Sequence, residues 1–103
     1  MAITAGTMAL KKTSETIPFC HAIPIEGSSI SITPEESKHA LIVRCSVKTT
    51  ARTGVEMEAM TGASAAGLTL YDMTKSLGLG IEISSVRLLS KTGGKSDYKS
   101  KNE

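Results

Sequence analysis

The chain has 103 residues, room for one small domain spanning 1–103, and its 40% apolar content includes one Phe, two Tyr and no Trp, so small side chains fill the interior and self-association is a natural source of stability. A formal charge of +2, from 12 Lys and Arg against 10 Asp and Glu, lacks the concentrated basic stripe with aromatics that nucleic acid demands. Cys20 and Cys45 lack metal-type spacing, no secretion signal precedes them, and no apolar run approaches about 18 residues, so the chain reads as a soluble, intracellular protein with reduced thiols that neither crosses a membrane nor holds a metal.

From Thr4 to about Thr16 small apolar residues give way to Lys11 and Lys12, predicting a helix with cations at its last turn. Pro18 stops it, because the residue before a proline is driven out of the helical region. Two strands follow. Ile30 and Ile32 alternate with Ser29 and Ser31 within Ile23 to Ile32. In Ala40 to Lys48, Leu41, Val43, Cys45 and Val47 share one face, Arg44, Ser46 and Lys48 the other. The turn-rich stretch Pro34-Glu35-Glu36-Ser37-Lys38 between them predicts an antiparallel hairpin.

Thr53-Gly54 opens a second helix, with Glu56 and Glu58 in its first turn and a run of small residues to about Leu77. It is apolar on nearly all sides, which predicts burial against both a sheet and a second chain. Gly78 and Gly80 end it. Ile81 to Lys91 reads as a last strand whose phase slips at Ser84-Ser85, the mark of a bulge. The Gly- and Lys-rich stretch 92–103 reads as a mobile tail. The order is helix, strand, strand, helix, strand, an α+β arrangement. A ferredoxin-like unit has one more strand in front, which would lie upstream of Met1.

Several clusters invite chemistry. His21 stands at a helix-to-strand connection, where an imidazole can serve acid/base work or be merely structural. Cys20 is its neighbour, but adjacent side chains of an extended stretch point opposite ways, which argues against a thiol–imidazole pair. Glu56 and Glu58 fall roughly 200° apart on a helix, so both face one ligand only if the helix begins between them; ordinary first-turn acids fit as well. Asp72 and Lys75, three apart, are neighbours on one flank. They suit proton transfer, although a surface ion pair is the commoner outcome of that spacing. Lys11, Lys12, Arg44, Lys48, Arg52, Lys75, Arg87, Lys91 and Lys95 recur at element ends, which suits an anionic small molecule or plain solvation. Lys91-Thr92-Gly93-Gly94-Lys95-Ser96 is no P-loop, since the required first Gly falls at Leu89 and no helix follows.

Pro18-Phe19-Cys20-His21, Thr53-Gly54-Val55-Glu56-Met57-Glu58-Ala59, Leu70-Tyr71-Asp72-Met73-Thr74-Lys75 and Arg87-Leu88-Leu89-Ser90-Lys91-Thr92-Gly93-Gly94-Lys95-Ser96 resemble, in order and spacing, the signature segments of the MoaC family, the cyclic pyranopterin monophosphate synthases of molybdenum cofactor biosynthesis. The resemblance covers nearly the whole chain. It implies a ferredoxin-like antiparallel sheet with helices on one face, assembled as dimers and as a hexamer (a trimer of dimers) whose active sites are shared between subunits. It implies a GTP-derived substrate, a 3′,8-cyclised dihydro-GTP, converted with loss of diphosphate and without a cofactor. Carried over by position, Asp72 is the catalytic acid/base and Lys75 the lysine beside it. Phe19, Cys20, His21, Met57 and Glu58 match substrate-contacting segments, Glu56 belongs with them, and Lys11 and Lys91 match basic residues of the pocket. The family has a further front segment, with an opening strand and a Lys-Gly-Asp run, that the chain does not include; Ala22 stands where Pro is usual and Asp97 where Gly is usual.

Overall fold

The computed structural model describes residues 1–18, 20–50, 54–78, 80–93 and 97–100. It is an α+β arrangement with antiparallel sheets: helix α1 (Ala2–Leu10), a single turn α2 (Thr13–Thr16), strands β1 (Gly27–Glu35) and β2 (Ala40–Lys48), helix α3 (Glu56–Thr74), and two short strands, β3 (Ser90–Lys91) and β4 (Tyr98–Lys99).

The expected first helix is shorter than its sequence pattern. The Thr13 hydroxyl donates to the Leu10 carbonyl at 2.9 Å, capping the end of α1 in place of a further helical bond. Lys12 leaves helical geometry at φ −116°, ψ 23°. Lys11 and Lys12 therefore sit just past the helix rather than in its last turn, which holds no basic residue. Ile17 is extended before Pro18, as the proline dictates.

β1 and β2 form the expected antiparallel hairpin, with Ile30 opposite Cys45 and Ile32 opposite Val43. β1 begins later than the Ile23 start read from sequence, because its partner strand ends at Lys48, which faces Gly27. Glu26 adds one more bond, its N–H donating to the Lys48 carbonyl at 2.9 Å. The far turn is tighter than expected: Pro34 and Glu35 stay in the ladder, and a 3₁₀ turn at Glu36–Lys38 ends on His39 in the left-handed region at φ 49°.

Alternation puts Ile30, Ile32, Val43, Cys45 and Val47 on the face that α1 and α3 cover. The other face presents Ser29, Ser31, Arg44, Ser46 and Lys48, all exposed. α1 and α3 cross each other on that covered face through matched stripes, Ala2, Gly6 and Leu10 against Glu58, Gly62 and Ala66, each spaced by four residues. The approach is close enough that a Cβ on Gly6 would stand 2.7 Å from the Gly62 carbonyl oxygen. A Cβ on Gly62 would stand 2.8 Å from the Cys45 sulfur and 3.1 Å from Leu10 Cδ2. On the other side of α3, Leu68 and Tyr71 are exposed.

The expected strand over Ile81 to Lys91 is corrected. Among the described residues only Ser90–Lys91 of that stretch enters a ladder, and it pairs with Tyr98–Lys99 rather than with the main sheet. The phase slip at Ser84-Ser85 leaves no continuous apolar face to lay on the helices, and Ile83 and Val86 are exposed. The Ser100 N–H donates to the Leu89 carbonyl at 2.6 Å and Arg87 Nη1 donates to the Ser100 hydroxyl at 2.7 Å, so β4 and the residue after it are tied to the preceding segment.

Candidate functional site

A cleft of about 300 Å³ opens where the 17–23 connection faces the start of α3, lined by Ile17, Pro18, Cys20, His21, Ile23, Gly54, Glu56, Met57 and Glu58. It brings together Cys20, His21, Glu56, Met57 and Glu58 of the residues singled out from sequence. Phe19, also singled out, lies outside the described residues, as do Arg52, Thr53 and Lys95.

Glu58 reaches the cleft floor because it shares the phase of Gly62 and Ala66, the stripe that α3 turns inward. It is only 3% exposed, and its Oε1 has no hydrogen-bond partner among the described residues. An ionised carboxylate so placed forfeits hydration without replacement. Glu56, two residues earlier, is half-buried and lies 3.1 Å from Lys91 Nζ, brought over by β3. That contact is a charge pair rather than an aligned hydrogen bond, since Glu56 Oε2 makes none. The two carboxylates thus differ: Glu56 has a cation beside it, while Glu58 Oε1 has no hydrogen-bond partner among the described residues.

Cys20 is half-buried and His21 exposed. The Cys20 sulfur lies 3.9 Å from the carbonyl oxygen of His21, a weak donor contact to main chain and not to the imidazole. Cys45 lies behind the helix pair, where burial pushes its thiol above the ordinary range.

Asp72 and Lys75 are elsewhere. α3 runs unbroken from Glu56 to Thr74, so Glu58 and Asp72 stand roughly 21 Å apart along one axis. Lys75 Nζ donates to Asp72 Oδ1 at 2.8 Å in an exposed pair, and this bond, with the carboxylate charge, raises the lysine above its usual value. Lys11 is exposed past α1 and is not among the residues lining the cleft. Sequence reasoning passed over the apolar walls, Ile17 and Ile23. Their signal was there in the apolar residues flanking Pro18 to Ala22, but alternation alone assigned Ile23 to a strand.

The site is thus an apolar-walled cleft with a buried carboxylate, and a separate carboxylate–ammonium pair lies at the far end of the same helix. Residues 1–94 match the model of the MoaC family, to which the chain belongs. It is 53% identical over 96 residues to a protein of Xanthomonas campestris pv. campestris (strain B100) named cyclic pyranopterin monophosphate synthase, covering 93% of this chain and 58% of that one. A protein of the same name from Nostoc sp. is 52% identical over 95 residues, covering 91% and 56%. Molybdenum cofactor biosynthesis protein 1 of Dictyostelium discoideum is 54% identical over 94 residues, covering 91% of this chain and 15% of its own length. The chain therefore spans less than two thirds of each of these relatives. Among the described residues no helix is long and apolar enough to cross a membrane.

Proposed function

We propose that the chain acts in molybdenum cofactor biosynthesis as a cyclic pyranopterin monophosphate synthase, a cytoplasmic lyase. It converts (8S)-3′,8-cyclo-7,8-dihydroguanosine 5′-triphosphate to cyclic pyranopterin monophosphate and diphosphate. The observation that supports this most is the convergence of Cys20, His21, Glu56, Met57 and Glu58 on one cleft, in a chain matching the family over residues 1–94. The base–sugar skeleton rearranges, and the triphosphate closes to a cyclic monophosphate as diphosphate leaves. Asp72 and Lys75 move protons, His21 orients the substrate, and Lys11 and Lys91 offset phosphate charge.

One copy holds its binding cleft and its proton-transfer pair roughly 21 Å apart, so the working site takes the cleft of one subunit and the Asp72–Lys75 end of α3 from a neighbour. Leu68, Tyr71, Met73 and Leu77, exposed by 63%, 42%, 50% and 82%, give that end of α3 an apolar surface for the neighbour to cover. The assembly is a dimer and, by the family pattern, a hexamer built as a trimer of dimers on a ferredoxin-like sheet. The same separation favours a second reading, a non-catalytic ligand-binding or assembly subunit in which the cleft works alone. Incubating the purified chain with the cyclised nucleotide decides between them. Product formation that Asp72→Asn abolishes is expected; binding without product would establish the second reading.

A further inference from the structure

We propose that Glu56 is an internal competitor for Lys91, an autoinhibitory contact rather than a ligand contact. It holds the lysine that a phosphate-bearing ligand must recruit, so that binding exchanges one anion for another. The inference rests on the synthase reading only in giving Lys91 a phosphate to meet. Lys91 Nζ lies 3.1 Å from Glu56 Oε2, with side chains 35% and 37% exposed. Glu56 Oε2 itself is buried and accepts no hydrogen bond, so among the described residues the lysine's charge is what offsets its own. Glu56 is also the first residue of α3, where the helix dipole favours the ionised carboxylate. It stands as a built-in anion on the cleft wall.

The contact joins separate parts of the chain. β3, which carries Lys91, pairs with β4 and not with the main sheet. That small hairpin is held by the Ser100 N–H on the Leu89 carbonyl and by Arg87 on the Ser100 hydroxyl. Lys91 can therefore change partner without the hairpin coming apart. The other lysines offer no ready substitute: Lys11 does not line the cleft, and Lys75 is held by Asp72 at the far end of α3. A partly exposed ion pair is weak enough for a ligand to break and strong enough to be felt in its affinity. The competing role is a plain staple between β3 and α3, which predicts no link between the two side chains in anion binding.

Calorimetric titration with inorganic triphosphate tests this on the wild type, Glu56→Gln, Lys91→Met and the double variant, each checked for fold by circular dichroism. Glu56→Gln should bind tighter, because its lysine is released and a like charge is removed. The decisive quantity is the coupling between the two changes. Lys91→Met should weaken binding by about two- to five-fold more in the Glu56→Gln background than in the wild type, the scale of an exposed ion pair. Charges acting independently would give equal losses in both backgrounds. Equal losses, no tightening in Glu56→Gln, or no binding of triphosphate by Glu56→Gln overturns the inference. A second measurement needs only the wild type: triphosphate should shift the carbon NMR signal of the Glu56 side-chain carboxyl as Lys91 leaves it, and an unmoved signal overturns the inference too. Turnover is read separately: coupling without product spares this inference and removes the synthase, and product formation without coupling does the reverse.

Discussion

Lys75 and Asp72 share a 2.8 Å hydrogen bond near the end of α3, with side chains 63% and 72% exposed. The hydrogen bond to Asp72 is the larger cause of the raised lysine pKa, followed by the carboxylate's charge. A raised lysine gains folded-state stability that is fully present below its unfolded pKa and lost as pH rises through the folded one. At such exposure the contribution is small, because solvent screens the pair. The visible consequence is in titration. Asp72→Asn should return Lys75 toward the ordinary lysine range, a fall readable in a pH series of its side-chain NMR signals. An unmoved titration would mean that Asp72 does not govern Lys75. The sequence foresaw this pair from three-residue spacing alone. It could not foresee that Glu58 is buried, because first-turn acids look alike until the phase of Gly62 and Ala66 turns one inward and leaves the other to Lys91.

The α1–α3 crossing shows the same limit one scale up. Both helices were legible from their small-residue runs, and α3 starts at Glu56 with its acids in the first turn as read. Which small residues touch was not legible, since each run offers several phases and only the partner helix selects one. The contact chosen is Gly6 and Gly62, with backbone oxygen and Cys45 sulfur where a methyl would go. Gly62→Ala raises helix propensity, which alone would stabilise. The new methyl must instead displace the Cys45 sulfur at 2.8 Å and Leu10, and overpacking of this sort costs about 1–3 kcal/mol. Gly6→Ala should be worse, because part of what it meets is the Gly62 backbone. Urea unfolding checks both: a lowered midpoint for each, with Gly6→Ala lower, is expected. An unchanged midpoint for Gly6→Ala would mean that the helices do not pack this closely. The last segment was misread for a related reason. Ile81, Ile83, Val86 and Leu88 carry the composition of a strand, but a strand exists only where another offers its edge, and here the ladder forms late, at Ser90–Lys91 with Tyr98–Lys99.

At the scale of the whole molecule, the α+β plan and the central hairpin followed from alternation and turn chemistry, and the 14-residue separation of Glu58 and Asp72 on one expected helix already argued for a site shared between copies. The unbroken α3 holds Glu58 and Asp72 roughly 21 Å apart, so the shared site proposed above needs a second copy to bring its Asp72 to the first copy's cleft. Mixing inactive partners tests this directly. Glu58→Gln and Asp72→Asn chains, each expected to be nearly inactive alone, are unfolded together, refolded and assayed. In a mixed dimer one site inherits both changes and the other inherits neither. Random pairing makes half the dimers mixed, so activity should return to about a quarter of the wild-type level if each site draws one residue from each copy of a symmetric pair. Sites contained within one chain would have no intact combination in any mixture, and activity would stay at the level of the separate variants. Recovery near a quarter establishes the shared site independently of which residue limits the rate, because it depends only on how the two chains combine.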